Sequence, residues 1–255
     1  MKAHHDQHFL IDPQAVQRIA DVAEVKGKRV LEIGPGHGAL TRALLQRGAI
    51  VHAVELDGHL CEELHTIFSE EIAQGQLTVK HGDATRCDLP PFEMVVSNLP
   101  YSASSKITFR LLKIGFEEAV LMFQSEFAER MVAPAGTKDC GRLSIMVQTC
   151  AIVQKCFTLP PNCFSPKPQV HSTVVKIVPR EQPIFPINDR HRYADVVRAL
   201  FSHRRKTVRN CLRGSGGMLD PRWVMRVIAT LPEEILKSRP EELYLEDFAA
   251  ISNVA

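Results

Sequence analysis

The chain has 255 residues, 45% of them hydrophobic and 24% charged, with a formal net charge of +2. Those proportions describe a globular protein with room for one large domain and a smaller one, and they exclude a disordered or fibrous chain. Seven cysteines without a C-x-x-C pair and eleven histidines without H-E-x-x-H argue against a disulfide scaffold and a metal site. No apolar run reaches bilayer length and no signal-type segment opens the chain, so a soluble, cytoplasmic protein with no membrane association is expected.

Gln7-His8-Phe9-Leu10-Ile11 is the one apolar patch of a polar start. Asp12-Pro13 reads as an N-cap and first helical residue, with Val16, Ile19, Ala20 and Ala23 following at helical spacing. Phe9 to Ile11 suits either a staple for that helix or a lid over a ligand. Arg29–Ile33 is a short β run that stops at Gly34-Pro35-Gly36-His37-Gly38, and 39–47 is helical. Strand, glycine turn and helix open a nucleotide-binding α/β unit. A second strand, Ile50–Val54, leads into Glu55, about twenty residues beyond the first glycine, where an acid can accept from ribose hydroxyls. The glycines are spaced E-x-G-x-G-x-G from Glu32, not as a dinucleotide fingerprint, and no phosphate-binding Lys, Ser or Thr stands beside them. That favours a nucleoside ligand without a pyrophosphate, with S-adenosyl-L-methionine the obvious candidate, and disfavours a dehydrogenase.

Residues 57–68 form a further helix and Leu77–Lys80 a third strand, followed by Gly82-Asp83-Ala84, where Asp83 is placed to accept from an adenine amino group. The fourth strand, 93–96, delivers Asn98-Leu99-Pro100-Tyr101. An amide oxygen, a carbonyl on stiff proline backbone and a flat ring at a strand's carboxyl end suit a planar substrate carrying an amino group. Then come a helix over 105–112, a strand over 119–123, a helix over 125–132, an apolar stretch over 143–153 and a late strand over 172–178. Pro179 to Asp189 holds three prolines and marks the expected boundary between domains 1–180 and 181–255. Beyond it the pattern is helical over 193–213, 221–230 and 242–251. From Val196 to Leu219 there are six Lys/Arg and no acid, and Arg198, Arg205, Arg209 and Arg213 fall in a stripe along the expected first helix, a phosphate-contacting surface.

Together these residues resemble the small-subunit ribosomal RNA adenine dimethyltransferases, in their archaeal or eukaryotic-like branch. The resemblance rests on Gln7-x-Phe9-Leu10, Glu32-Ile33-Gly34-Pro35-Gly36, Glu55-Leu56-Asp57, Gly82-Asp83-Ala84, Asn98-Leu99-Pro100-Tyr101, Phe164-x-Pro166-x-Pro168-x-Val170-x-Ser172 and Phe201-x-x-Arg204-Arg205-Lys206-x-x-x-Asn210. The chain departs from that family at Asp6, where glycine is usual, and carries only Lys2 where a basic leader is common.

The resemblance implies an α/β, Rossmann-like class I S-adenosylmethionine-dependent methyltransferase sheet with a small all-α C-terminal domain that binds RNA. It implies dimethylation of the N6 amine of two adjacent adenosines near the 3′ end of small-subunit ribosomal RNA, by a monomer acting on the immature subunit during its biogenesis. Asn98 and Pro100 would accept the two amine N–H groups, with Tyr101 and Phe164 stacking on the extruded base. Gly34, Gly36, Glu55, Asp83 and Ala84 would hold the cofactor, joined by His8, Leu10 and Asn98. Arg198, Arg204, Arg205, Lys206, Arg209 and Arg213 would meet RNA phosphates. The competing readings are a large-subunit methyltransferase of the macrolide-resistance type and a non-catalytic ribosome-assembly factor.

Overall fold

A computed structural model describes residues 7–255, so Lys2 and Asp6 lie outside the described residues. Its strands are β1 (Phe9–Leu10), β2 (Arg29–Ile33), β3 (Ile50–Glu55), β4 (Leu77–His81), β5 (Met94–Asn98), β6 (Glu118–Gln124), β7 (Ala151–Leu159), β8 (Phe164–Ser165) and β9 (Ser172–Pro179). The helices of the first half are α1 (Pro13–Ala20), α2 (Ala39–Gln46), α3 (Gly58–Ile67), α4 (Ser69–Ala73), α5 (Ser104–Ile114) and α6 (Ser125–Val132). They are followed by α7 (Arg142–Cys150), α8 (Arg190–Ser202), α9 (Val208–Arg213), α10 (Pro221–Thr230), α11 (Glu233–Lys237) and α12 (Leu245–Ser252). Among the described residues no helix is long and apolar enough to cross a membrane.

Seven strands form one sheet in the order β4-β3-β2-β5-β6-β9-β7, and β1 pairs with β8 in a separate two-stranded ladder. Strands β2 to β6 are parallel to their neighbours, and β9 runs antiparallel to β6. The chain steps outward from β2 through β3 to β4, then returns to build β5 on the other side of β2. That reversal opens a crevice at the carboxyl ends of β2 and β5. Strand β5 is apolar without alternation, as a strand covered on both faces must be, and Val95 and Val96 are fully buried. The expected cap of α1 is present: Asp12 Oδ1 accepts from the N–H groups of Gln14 (2.8 Å) and Ala15 (3.2 Å).

The chain divides into two compact units, one comprising the chain up to Ala128 with Ile152–Pro179, the other Glu129–Ala151 with Arg180–Ala255. The second unit therefore takes in residues 129–151, which the sequence assigns to the first domain. The reason is a shared core: Cys140 and Ile145 pack with Val196, Leu200, Trp223 and Phe248. A buried hydrogen bond of 2.8 Å also joins Thr149 Oγ1 to the Tyr193 hydroxyl.

Two expected elements resolve differently. The apolar stretch 143–153 is nearly the whole of one helix, α7, running directly into the first residues of a strand, β7. The single helix expected over 193–213 is two, α8 and α9, separated by residues 203–207. There the Val208 N–H donates to the Ser238 carbonyl (2.8 Å), Thr207 caps Asn210, and the Cys211 thiol donates to the His203 carbonyl (3.3 Å). One contact from a distant part of the unit, at Ser238, and two local side-chain bonds thus replace the intrahelical bonds that a continuous helix would use.

Candidate active site

The crevice between β2 and β5 is a cleft of about 1010 Å³, lined by the residues after both strands, by the ends of β3 and β4, and by Gln7 to Ile11. Its floor is tied together where the Ile33 N–H donates to Ser97 Oγ (2.8 Å), joining the two central strands just below their ends.

On the β2 side, Gly34, Gly36 and Gly38 all have positive φ, which a side chain would strain. At Gly36 space forbids one as well, since a Cβ would lie 2.6 Å from Phe9 Cδ1. The Phe9 ring packs on this turn and against the His37 ring, centroids 4.5 Å apart. Glu55, at the end of β3, is buried, and its carboxylate accepts from three backbone N–H groups: Leu56 (2.8 Å), Asp57 (3.0 Å) and Gly36 (3.2 Å). A carboxylate has about four acceptor sites, so one remains for a ligand hydroxyl. Beyond β4, Asp83 Oδ1 accepts from the Thr85 hydroxyl (2.7 Å) and N–H (2.8 Å), bonds that hold its carboxyl below the usual range. Its other oxygen stands 3.6 Å from Arg86 Nε. The Ala84 carbonyl is taken by Arg110 (2.8 Å), so Ala84 contributes lining rather than that acceptor. These groups fit a nucleoside: acceptors for hydroxyls and an amine, and, among the described residues, no Lys or Arg in the cleft lining for a pyrophosphate.

On the β5 side, Asn98 Nδ2 donates to the His8 carbonyl at 2.9 Å, which leaves Oδ1 as the amide's open end. Tyr101 lines the cleft, its hydroxyl paired with Ser172 Oγ at 2.6 Å and its ring 5.4 Å from that of His8. Leu10 lines the cleft from β1, whose register on β8 pairs Leu10 with Phe164 and Phe9 with Ser165.

Three expectations are corrected here. The Pro100 carbonyl already accepts from the Ala103 N–H and the Ser104 hydroxyl, both at 3.1 Å, because the chain turns into a 3-10 turn and then α5 immediately after it. Both its lone pairs are used. Leu99, one residue earlier, lines the cleft, and no donor reaches its carbonyl among the described residues. Phe164 does not line the cleft; the β1–β8 ladder turns it into the core, where it is 1% exposed beside Leu10 and Val174. The basic stripe is not one helix face: Arg198 is on α8, Arg204, Arg205 and Lys206 lie in the connecting loop, and Arg209 and Arg213 are on α9. Arg198 pairs with Asp195, Arg209 with Glu233, and Arg204 with Glu241 at 3.0 Å. Arg205, Lys206 and Arg213 are exposed, with no carboxylate partner among the described residues.

One lining residue had a signal in the sequence that was passed over. Glu32, first letter of the glycine motif, is buried at the cleft floor and accepts from Thr41 Oγ1 (2.7 Å). Burial, with the Glu55 charge adding to it, pushes its carboxyl up to about 8. It is therefore protonated at neutral pH.

The family model described as ribosomal RNA adenine dimethylase matches residues 1–249. The chain is 60% identical over 253 residues to a protein of Methanospirillum hungatei named probable ribosomal RNA small subunit methyltransferase A, covering 99% of this chain and 98% of that one. A protein of the same name from Methanococcoides burtonii is 43% identical, with 98% and 91% covered. Among solved structures, a dimethyladenosine transferase from Plasmodium falciparum superposes with a TM-score of 0.79 at 29% identity, over 96% of each chain. The 23S rRNA methyltransferase ErmE superposes with a TM-score of 0.70 at 26% identity, over 96% of this chain and 98% of that one.

Proposed function

The chain belongs to the ribosomal RNA adenine dimethylase family, and from that premise we propose that it methylates the N6 amine of adenosine in small-subunit ribosomal RNA, twice on each of two adjacent adenosines near the 3′ end, as a step of subunit biogenesis. The observation that carries this reading is the amide of Asn98, held by its nitrogen at the switch point of the sheet with its oxygen open.

When bound, S-adenosyl-L-methionine supplies a methyl group already activated on a sulfonium, so the protein need provide only binding, orientation and electrostatics. Glu55 would take a ribose hydroxyl, Asp83 the adenine amino group, and the Gly34–Gly36 turn would let the ligand approach the backbone. Leu10 from β1 and His8 just before it close over them. The N6 lone pair of adenine is delocalised into its ring and is a poor nucleophile. Asn98 Oδ1 and the Leu99 carbonyl accept its two N–H groups, which draws the nitrogen toward a tetrahedral shape and aims its lone pair. Orientation of this kind can be worth about 7–11 kcal/mol. Tyr101 gives the extruded base a face to stack on, worth roughly 1–3 kcal/mol. No general base is required: Asn98 cannot act as one, and the amine sheds its proton to solvent after transfer. The first product keeps one N–H for two acceptors and the second keeps none, so dimethyladenosine loses both bonds and leaves. Arg205, Lys206 and Arg213 have charge to spend on RNA phosphates.

The test is mass spectrometry of ribosomal RNA after incubating immature subunits with the protein and labelled S-adenosyl-L-methionine. Dimethyladenosine in small-subunit RNA is expected. Label confined to large-subunit RNA would turn the reading to the resistance type. Tight binding to subunits without any label would leave an assembly factor.

A further inference from the structure

His8 is the point where three parts of the cleft meet. Its ring Nδ1 donates to the Pro166 carbonyl at 2.7 Å, which requires the proton on that nitrogen, because a carbonyl only accepts. Its own carbonyl accepts from Asn98 Nδ2 at 2.9 Å. Its ring sits 5.4 Å from that of Tyr101, tilted by 37°. The residue immediately precedes β1, which is held to β8 by a ladder of only two residue pairs.

An amide side chain has two orientations that differ by a half-turn. With Nδ2 toward the His8 carbonyl, Oδ1 is presented as an acceptor. In the reverse orientation, two oxygens would face each other at hydrogen-bond distance and the cleft would be offered a donor, which an amine cannot use in the same way. The His8 carbonyl thus selects one of the two. It can do so only while His8 is in place, and among the described residues the bond to Pro166 is the one side-chain hydrogen bond that keeps it there.

We propose that His8 is a positioning residue for methyl transfer: by bridging the Pro166 carbonyl and the Asn98 amide, it holds the amide with its oxygen toward the target amine, so that the amine site is complete only when β1 is docked. This rests on the adenine-N6 reading above. It goes beyond cofactor contact, because it assigns His8 an effect on the acceptor that the nucleophile meets.

The experiment compares His8→Ala, His8→Asn and His8→Phe with the wild type in single-turnover methyl transfer to small-subunit RNA, with the affinity for S-adenosyl-L-methionine measured separately by calorimetry. In asparagine the amide nitrogen stands one bond beyond Cγ, where histidine has Nδ1, so it can donate to Pro166. Phenylalanine keeps a ring beside Tyr101 and cannot donate. The expected result is a loss of about tenfold to a hundredfold in the rate constant at saturating S-adenosyl-L-methionine for His8→Ala and His8→Phe, a loss that further cofactor does not recover, while any weaker cofactor binding reports the separate cofactor contact of His8. His8→Asn is expected to restore most of the rate. Rates unchanged in all three variants would overturn the proposal. So would rescue by Phe but not Asn, which would make the ring contact the working part, or a loss that appears only in cofactor affinity. Thermal melting of each variant separates a poorly folded sample from a misplaced amide. If the wild type itself transfers no methyl to the RNA, the adenine-N6 reading has failed instead.

Discussion

Two regions of this chain are the ones proposed to carry recognition, and they are built in opposite ways. The stretch from Asn98 to Tyr101 leaves the end of a buried strand, and its polar groups are held by named partners: the His8 carbonyl on Asn98, Ser172 on Tyr101, and Ala103 and Ser104 on Pro100. The basic segment from Arg198 to Arg213 crosses an exposed turn, and three of its six cations are paired: Arg198 with Asp195 of its own helix, Arg204 and Arg209 with acids brought from elsewhere in the second unit. A reacting amine must be aimed, so its site is pinned. A phosphate backbone needs only charge within reach, so its site tolerates loose geometry but not cations already neutralised.

The largest expected effect tests how far the first region is pinned from below. Phe164→Ala removes a ring that is 1% exposed and is expected to cost about 3–5 kcal/mol of stability, read as a lower denaturant midpoint. A variant of unchanged stability that lost only turnover would return Phe164 to the stacking role. Next comes Asn98→Ala, which should lower the transfer rate about 10²- to 10³-fold, the range for deleting one preorganised hydrogen-bond partner, with cofactor affinity changed far less. Equal losses in rate and cofactor binding would instead make Asn98 a structural residue.

Glu32 gives the pinned region a pH signature. Its folded pKa of about 8 lies above the 4.5 of a free side chain, so between those values the native state holds a proton that the unfolded chain has lost. The contribution of Glu32 to stability is therefore greatest below pH 4.5 and declines as pH rises, by about 1.4 kcal/mol per unit at most, levelling off above about 8. Glu32→Gln, which stays neutral, should flatten that decline; urea midpoints at pH 5 and pH 8 measure it, and parallel profiles would place the proton elsewhere.

The smallest effects sharpen the second region. Arg205→Glu should weaken RNA binding and reduce the salt slope by about 1, as loss of one phosphate contact requires. Arg209→Glu should do less, because Arg209 is paired with Glu233 and surface pairs contribute only about 0–1 kcal/mol. Equal effects of the two would mean that the ion pairs open when RNA arrives.

What was legible in the sequence follows the same division. Six of the seven sheet strands, β2 to β6 and β9, were readable to within a residue or two, because buried β runs ending in glycine, acid or amide are local signals, whereas the nine-residue β7 was not read as a strand. Glu55, Asp83 and Asn98 were found for the same reason, each lying at or just past the end of such a run. The ladder of β1 on β8 was not readable, since two residues carry no periodicity and the partners are more than 150 positions apart. It is this ladder that takes Phe164 out of the cleft and sets His8 against Asn98. The break between α8 and α9 was hidden too, because no glycine or proline marks residues 203–207 and the apolar spacing runs on across them. By itself, then, the sequence determined the α/β sheet and brought Glu55, Asp83 and the Asn98 amide, the groups proposed for nucleoside and amine, to the strand ends. Only the tertiary structure decided which carbonyl beside that amide is left without a donor, which aromatic ring reaches the cleft, and which cations remain unpaired. Those are properties of partners distant in the chain, and hydrogen bonds, burial and ion pairs are settled between neighbours in space.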